Sequence, residues 1–297
     1  MSRRILVTGS DGFTGRYVCD ALLKAGWEVW GAGLRSPIKG QRYLQINLQD
    51  RSSLTAIAAR VRPEVVIHLA AAAFIDERDP EIFYQVNLLG TRNLLEALSE
   101  ARIPPKCVIL ASSANVYGNS ERSSLRESDA ANPNNDYSVS KLAMEYLAKT
   151  FTEKLGIIIA RPFNYTGIGQ RECFLIPKLV YHFKNKVPEI ALGNLEVARD
   201  FSDVRDIARY YADIASLQPI GETINLCSGL TTKLEDIVKM ISTLAGFEIT
   251  VRVSSDLKRS NEVKVLRGDR AKLDKLTGAY KPKHIRETLA WMLADEA

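Results

Sequence analysis

The sequence predicts an α/β protein in which a doubly wound parallel sheet is followed by a smaller C-terminal substrate lobe. Short, continuously apolar segments alternate with helical segments over roughly the first half of the chain. A glycine-rich turn separates the first apolar segment from the first helix. Continuous apolar strands alternating with helices are typical of a parallel sheet covered on both faces.

Six strands of this sheet are predicted from apolar runs, at 5–7, 28–32, 43–46, 65–69, 107–110 and 157–160. Helices are predicted from the glycine turn to Ala25, from Ser52 to before Pro63, from Pro80 to Ala101, and around Tyr137. In the third of these, apolar residues recur at helical spacing. Right-handed crossovers in such a fold place ligands at the carboxyl ends of the strands.

After about Pro162 the pattern loosens into shorter elements, with helices predicted near 204–216, 233–245 and 284–294. We therefore predict a cofactor-binding domain at 1–165 with a return segment at about 198–230. The smaller lobe is predicted at 166–197 and 231–297.

Composition excludes several function classes. Hydrophobic residues make up 46% of the chain, charged residues 25%, and the net charge is +5. No basic tract suggests nucleic-acid binding, and no apolar run approaches the ~20 residues of a membrane span. Three histidines and four scattered cysteines predict no metal site, reduced thiols and a cytoplasmic location.

Tyr137 and Lys141 are four residues apart, which places both side chains on one face of a helix. A phenol has a reference pKa near ~10, and an adjacent ammonium lowers that pKa toward a value useful for proton transfer. The pair therefore predicts proton exchange with a carbonyl or alcohol oxygen. A surface helix that carries an aromatic and a charge one turn apart is the alternative.

Gly9, Gly12 and Gly15 lie between a strand and a helix, where a glycine loop lets backbone N–H groups approach a pyrophosphate. The spacing differs from the standard dinucleotide fingerprint, and a tight turn with glycine packing is the alternative. The second strand is followed by Gly33-Leu34-Arg35-Ser36, which offers an arginine and a hydroxyl but no carboxylate. An arginine there suits the 2′-phosphate of NADP, so NADP(H) is the preferred cofactor and NAD(H) a possible one, unless Arg35 is an ordinary loop residue.

Ser113 lies at the carboxyl end of the strand at 107–110. A serine there can donate a hydrogen bond to the substrate oxygen that the tyrosine protonates. A loop serine that merely caps or turns the chain is the alternative.

The glycine loop, His68-Leu69-Ala70-Ala71, Asn87, Ser113 and Tyr137-x-x-x-Lys141 together resemble the extended short-chain dehydrogenase/reductase family of nucleotide-sugar enzymes. This resemblance implies a Rossmann fold and catalytic roles for Ser113, Tyr137 and Lys141, with Lys141 also touching the nicotinamide ribose. It also implies a homodimer built from a four-helix bundle that includes the Tyr137 helix. The implied cofactor-binding residues are Gly9, Asp11, Gly12, Phe13, Gly15, Arg35, Asn47, Leu48, Leu69, Ala70, Ala71, Asn87, Tyr137 and Lys141.

Motifs of the second lobe resemble the GDP-6-deoxy-4-keto-D-mannose reductases within that family. They are Arg161-Pro162-Phe163-Asn164, the run from Arg199 to Asp206, Asn225 to Gly229, and Arg259 to Glu262. The resemblance implies that Asn164, Arg199 and Arg259 face the nucleotide diphosphate, Glu262 a ribose hydroxyl and Ser113 the sugar. Arginine forks suit phosphate oxygens and carboxylates accept from hydroxyls. A surface ion-pair network is the alternative for Arg199 and the preferred interpretation of Arg205.

Departures from the family pattern narrow the expected reaction. Ala114-Asn115 stands where 4,6-dehydratases carry an Asp-Glu pair, which disfavours dehydration. Ala114 and Phe174 stand where the fucose-synthase branch has a cysteine and a histidine, which disfavours that epimerisation. Ser260-Asn261 replaces the Pro-Ser common in the mannose branch, and Asn47 replaces an aspartate used against adenine.

The sequence therefore predicts reduction of the C4 keto group of a GDP-4-keto-6-deoxy-D-mannose-type sugar to GDP-D-rhamnose or its C4 epimer. A nucleotide-sugar 4-epimerase with tightly bound NAD+ is one alternative. A noncatalytic NADP(H)-sensing protein, which needs the glycine loop alone, is another.

Overall fold

The computed structural model describes residues 3–36, 42–73, 79–120, 122–254 and 263–295. It divides into two compact units. Unit 1 comprises Met1–Val116, Pro133–Arg161 and Ala208–Ile224, and unit 2 comprises Tyr117–Asn132, Pro162–Ile207 and Asn225–Ala297. The domain limits predicted from the sequence stay a prediction.

A seven-stranded sheet, ordered β11-β6-β5-β4-β1-β2-β3, forms the centre of the fold. Its strands are β1 (Arg4–Thr8), β2 (Glu28–Gly33), β3 (Tyr43–Gln45), β4 (Val65–His68), β5 (Cys107–Ala111), β6 (Ile157–Pro162) and β11 (Thr223–Leu226). The pairs from β3 across to β6 are all parallel, with Ile5 beside Val65 and Val108 beside Ile157. The predicted doubly wound α/β fold is confirmed.

The helices that follow these strands are α1 (Phe13–Lys24), α2 (Arg51–Val61), α3 (Glu81–Phe83), α4 (Thr91–Ser99), α5 (Asp136–Lys149) and α7 (Val204–Leu217). Apolar residues of α2 and α4 pack with those of the strands in one core cluster. Ile5, Ile67 and Ile109, on three adjacent strands, are completely buried. The strand residues are apolar without alternation because helices cover the sheet.

The prediction of one continuous helix from Pro80 to Ala101 is wrong for its central residues, which are π-helical. Helix α3 ends at Phe83, seven residues form π-helical turns (Tyr84–Gly90), and α4 resumes the α-helix at Thr91. Within the π-helical turns, Asn87 is buried, and the Thr91 hydroxyl donates to its carbonyl oxygen at 2.7 Å. Side chains that bond into the helix ladder are a known cause of such irregularities, and π-helical turns are common at functional sites.

Unit 2 has its own apolar cluster, drawn from α6 (Leu175–Lys184), α8 (Leu234–Ala245), α10 (Ile285–Leu293) and neighbouring strands. Its remaining elements are β7 (Asn164–Thr166), β8 (Glu189–Leu192), β9 (Ala198–Arg199), β10 (Phe201–Asp203), β12 (Thr232–Lys233), β13 (Thr250–Val253), β14 (Val265–Leu266) and α9 (Ala271–Thr277). Helices α7, α8 and α10 confirm the three predicted late helices to within about one residue. Among the described residues, no helix is both long and apolar enough to cross a membrane.

Candidate active site at the carboxyl ends of the parallel strands

Helix α5 carries both residues of the predicted proton-transfer pair. Asn135 caps the helix by accepting from the Ser138 backbone N–H at 2.9 Å, while the Ser138 hydroxyl accepts from the Asn135 N–H. This capping box fixes the start of the helix at Asp136, one residue before Tyr137. The Tyr137 ring is half-buried and lies edge-on to Phe83, with centroids 5.8 Å apart. The alternative, a surface helix that carries an aromatic residue and a charge one turn apart, is therefore the weaker interpretation of Tyr137 and Lys141.

Lys141 is buried, with 4% of its surface exposed. Its Nζ donates to the Ala111 carbonyl oxygen, at the end of β5, at 2.8 Å. Burial lowers the pKa of Lys141 from 10.5 to about 8, and the nearby Glu145 carboxylate opposes that shift. The ammonium form is thus still favoured at neutral pH, but it can gain or lose a proton under mild conditions.

Ser113 is the second residue after the end of β5 and is 8% exposed. Its Oγ accepts a hydrogen bond from the Asn115 backbone N–H at 3.1 Å. This bond opens the short 3₁₀ turn Ala114–Tyr117 and holds the Ser113 hydroxyl at the carboxyl end of the sheet. The arrangement places a hydroxyl donor on the strand whose Ala111 carbonyl binds Lys141.

A buried network beside this pair is absent from the sequence predictions. Glu145, one turn beyond Lys141 on α5, accepts from Arg161 of β6 through Nε at 2.9 Å and Nη2 at 2.6 Å. It also accepts from the Ser112 hydroxyl at 2.5 Å. The four-residue spacing that identified Tyr137 and Lys141 continues to Glu145 and could have indicated it. The partners on β5 and β6 carry no such signal.

A second set of buried hydrogen bonds joins His68 of β4 to the hydroxyls of Thr8 and Thr91. His68 contacts the Thr8 hydroxyl through Nδ1 at 2.7 Å and the Thr91 hydroxyl through Nε2 at 3.0 Å. Burial and, secondarily, the Lys141 charge lower the pKa of His68 to about 3. This histidine is therefore neutral at working pH and acts as a packing and hydrogen-bonding group.

Asn87 connects the π-helical turns to α5. Its amide nitrogen donates to the Ala72 carbonyl oxygen at 3.0 Å and to the Ser140 hydroxyl at 3.1 Å. Its side-chain oxygen accepts from the Ala72 N–H at 2.8 Å. The Ser140 hydroxyl in turn donates to the Tyr137 carbonyl oxygen at 2.8 Å. Asn87 thus braces the start of the Tyr137 helix against the segment after β4.

The glycine loop has no room for side chains at two of its three glycines. Gly9 has a φ of +69°, and a Cβ there would lie 2.7 Å from the Ala70 nitrogen. A Cβ at Gly15 would lie 2.6 Å from Ser10 Cα and closer still to the Gly9 carbonyl oxygen. Gly12 is the N-cap of α1 and makes no side-chain cap hydrogen bond, and the N-terminal end of a helix favours an anion. These features fit a dinucleotide pyrophosphate.

Arg35 and Asp11 form an ion pair across the mouth of this loop. Arg35 Nε donates to Asp11 Oδ2 at 2.9 Å, with the arginine side chain 69% exposed. The predicted adenine-side residues Asn47 and Leu48 follow β3, and the Asn47 side chain accepts from the Gln49 N–H at 3.0 Å. The remaining predicted cofactor residues are Phe13, the first residue of α1, and Leu69, Ala70 and Ala71, which follow β4.

In unit 2, Asn164 is exposed at the start of β7. Arg199 Nη1 donates to the carbonyl oxygens of Ala198 and Lys264 at 3.0 and 3.2 Å. Arg205 forms a two-pronged pair with Asp203, at 2.9 and 2.6 Å, as its ion-pair interpretation predicts. The predicted substrate residues Arg259 and Glu262 lie outside the described residues. Within those residues, no cluster of metal-binding side chains occurs.

The model of the NAD dependent epimerase/dehydratase family matches residues 5–227, which is most of the chain. The chain belongs to this family. This match confirms the predicted resemblance to the family.

Two curated relatives of this chain have names that describe enzymes of GDP sugars. GDP-6-deoxy-D-mannose reductase from Pseudomonas aeruginosa is 34% identical over 99% of the chain and 97% of the relative. GDP-6-deoxy-D-talose 4-dehydrogenase from Aggregatibacter actinomycetemcomitans is 32% identical over 93% of the chain and 91% of the relative.

Two solved structures share the whole fold of this family member. A candidate epimerase from Burkholderia cenocepacia J2315 is 47% identical, with a TM-score of 0.92 over 98% of the chain and 97% of that protein. RMD from P. aeruginosa, complexed with NADPH, is 30% identical, with a TM-score of 0.85 over 99% and 98%.

Ala114 and Phe174 are inert in this family member. Ala114 is buried at 1% exposure in the 3₁₀ turn after Ser113. Phe174 precedes α6 and offers no side-chain cap. Neither side chain can carry a proton, so acid–base work at these two positions is excluded.

Proposed function

We propose that this protein reduces the C4 keto group of a GDP-4-keto-6-deoxy-D-mannose-type sugar with NAD(P)H, giving GDP-D-rhamnose or its C4 epimer. The observation that best supports this proposal is the position of Lys141. This buried residue lies one helical turn from Tyr137, and its Nζ donates to the Ala111 carbonyl oxygen at the end of β5, two residues before Ser113. Full-length similarity to a GDP-6-deoxy-D-mannose reductase supports the substrate class.

In this proposal a bound NAD(P)H supplies the hydride that reaches the carbonyl carbon. Ser113 donates a hydrogen bond to the carbonyl oxygen and polarises it. Tyr137 then gives its phenolic proton to the oxygen as negative charge develops there. Lys141 holds a positive charge beside the phenol, which lowers the free-energy cost of the phenolate that remains.

The cofactor side of the proposal rests on the glycine loop and Arg35. The uncapped start of α1 after Gly12 would hold the pyrophosphate. Arg35 would turn from Asp11 to a 2′-phosphate, because its exposed guanidinium suits phosphate geometry. We therefore propose NADPH as the preferred reductant and NADH as a weaker one, with Asn47, Leu48 and the Leu69–Ala71 segment lining the rest of the cofactor.

Asn164 and Arg199 of unit 2, together with Arg259 and Glu262, are proposed to bind the nucleotide diphosphate and its ribose. Arg199 Nη1 is held by two carbonyl oxygens, and the planar donor fork of a guanidinium matches the oxygens of a phosphate. The reducing cytoplasm is the proposed location, since Cys19, Cys107, Cys173 and Cys227 are free thiols.

A 4-epimerase is the second candidate, because the 47% identical solved structure is described as a candidate epimerase. Epimerisation would need the same Tyr137 as a base and a tightly held NAD+, with the keto sugar turning in the site. This reaction consumes no reductant, so the two candidates differ in a simple measurement.

The deciding experiment incubates the purified protein with GDP-, UDP- and dTDP-4-keto-6-deoxy sugars and either NADPH or NADH, with NMR of the products. We expect one NADPH to be oxidised for each GDP sugar that is reduced. The NMR spectrum of the product should show a C4 hydroxyl in place of the keto group, and its orientation distinguishes GDP-D-rhamnose from the C4 epimer. Oxidation with the UDP or dTDP sugar alone would contradict the nucleotide assignment. Conversion of a nucleotide hexose into its C4 epimer without added reductant would establish the epimerase instead.

We further propose a homodimer through helix α5 and the π-helical turns that lead into α4. These two elements pack together, and they expose Leu89 of the π-helical turns by 50% and Val139 and Tyr146 of α5 by 37% and 61%. Apolar side chains grouped on neighbouring helices mark an interaction surface. A second copy of the same face would form an isologous four-helix contact.

Substituting Tyr146→Asp should convert the dimer to a monomer at micromolar concentration, because a buried unpaired carboxylate destabilises an apolar interface. Analytical ultracentrifugation of both proteins checks this. Tyr181→Asp, at a 42% exposed tyrosine of α6, is the matched control and should stay dimeric. A wild-type protein with the mass of one chain would refute the proposed dimer.

A further inference from the structure

Three charged side chains are buried among the described residues of unit 1: Lys141, Glu145 and Arg161. Glu145 and Arg161 form a two-pronged pair with side-chain exposures of 6% and 9%. The site described above uses Lys141 but assigns no chemical role to this pair.

Stability is a poor explanation for the pair. Removing two charges from water costs as much as or more than their attraction returns, and apolar residues of similar volume are often as stabilising. The buried charges of Glu145 and Arg161 therefore indicate a function other than stability, one that an apolar residue such as leucine could not provide. Glu145 lies one helical turn from Lys141 and two turns from Tyr137, on the same face of α5.

Glu145 also fixes the catalytic helix to the two strands beside it. Ser112, adjacent to Ser113, donates its hydroxyl to Glu145 Oε1 at 2.5 Å. The Ser112 N–H donates to the Ala160 carbonyl oxygen at 2.7 Å, next to Arg161 on β6. Together with the bond from Lys141 to Ala111, these contacts attach α5 to the end of β5 at two successive residues.

We propose that Glu145, held by Arg161 and Ser112, is a positioning residue that keeps Lys141 in its ammonium form beside Tyr137 and sets the register between Ser113 and the Tyr137 helix. The proposal rests on the reduction proposed above for its kinetic consequences. Its electrostatic part concerns Lys141 alone and is measurable without turnover.

The groups around Lys141 determine the expected direction. On its own helix it faces Tyr137 and Glu145, from β5 the Ala111 carbonyl, and from β4 His68, which is neutral because its pKa is about 3. Arg161 of β6 carries the other charge beside Glu145, and the two are paired. Removing the Glu145 carboxylate both deletes an attraction for the ammonium and leaves Arg161 unbalanced, so both changes lower the pKa of Lys141.

The test is a Glu145→Gln variant with [¹³Cε]lysine, in which the Lys141 signal is titrated by NMR and assigned by its loss in Lys141→Met. We expect the Lys141 titration to move about one pH unit below that of the wild type. The alkaline limb of kcat for keto-sugar reduction should move by a similar amount. At pH 8, kcat should fall about fivefold while KM changes less than twofold, a split that links the loss to the charged form of Lys141.

Two variants complete the design. Glu145→Asp keeps the charge and should return the Lys141 titration most of the way to the wild-type value. Glu153→Gln removes the same charge from an exposed position shortly after α5 and should match the wild type. A folded Glu145→Gln protein with an unchanged Lys141 titration would overturn the proposal.

If Glu145→Gln does not fold, the double variant Glu145→Gln/Arg161→Gln removes both charges of the pair. The Lys141 titration should again be lowered, but by less than in the single variant, because no unbalanced Arg161 charge remains. An unchanged titration in that variant would equally overturn the proposal. If the wild type reduces none of the sugars, the proposed reaction fails, whereas the NMR titration still decides the role of Glu145.

Discussion

Tyr137→Phe should reduce turnover of the keto sugar by about 10²- to 10⁴-fold, the range contributed by a positioned general acid. The phenolic hydroxyl is the one group that this substitution removes, since the ring and its edge-on contact with Phe83 remain. The Kd for NADPH, measured by fluorescence titration, should stay within about twofold of the wild type, and so should KM. Steady-state kinetics with the GDP sugar checks the rate.

The same substitution at an exposed tyrosine separates this effect from general damage. Tyr181 of α6 is 42% exposed, and Tyr181→Phe should leave kcat unchanged. A Tyr137→Phe enzyme that keeps most of its activity would show that another group supplies the proton. Because Ala114 and Phe174 carry no titratable group, no replacement is expected from those two positions.

The fold could be predicted because its sequence signals are local. Apolar runs gave strands β1 to β6, and the parallel arrangement followed from their burial on both sides. Tyr137 and Lys141 could be paired because both lie on one helix at a fixed spacing. Their environment was also foreseeable in part, since the strand before Ser113 has its carboxyl end where a doubly wound fold binds ligands.

The buried network could not be predicted because its bonds join residues far apart in the chain. Ser112 and Glu145 are separated by 33 positions, and Glu145 and Arg161 by 16. A glutamate on a helix and an arginine on a strand are, by sequence alone, as compatible with the surface as with the core. The charged and polar groups that surround Lys141 are therefore known only from the tertiary structure.

The π-helical turns were missed for a related reason. The apolar spacing of the Pro80 to Ala101 segment fits an α-helix, and no local residue forbids it. The feature of these turns that the apolar spacing does not show is the buried Asn87, whose carbonyl accepts from the Thr91 hydroxyl and whose side chain bonds to Ala72 before the helix and to Ser140 on α5. These partners lie 15 and 53 positions away, so the irregularity is a tertiary effect that overrides local propensity.

Gly15→Ala should abolish measurable NADPH binding and lower the free energy of unfolding by about 1–3 kcal/mol, the usual cost of overpacking a rigid site. The added Cβ would meet backbone atoms of Gly9 and Ser10, which cannot rotate away as a side chain could. Relief requires α1 to move from the loop, and that movement displaces the N–H groups proposed to bind the pyrophosphate. Fluorescence titration and chemical denaturation measure the two effects.

Gly26→Ala is the matched control, at the other end of the same helix. Gly26 has a φ of +80° with no atom within 4 Å of a Cβ, so alanine there is strained by about 1 kcal/mol without crowding anything. This variant should lose comparable stability and keep the wild-type Kd for NADPH. Equal weakening of NADPH binding in both variants would mean that general destabilisation causes the loss. Binding lost in Gly15→Ala alone would place the pyrophosphate at the glycine loop.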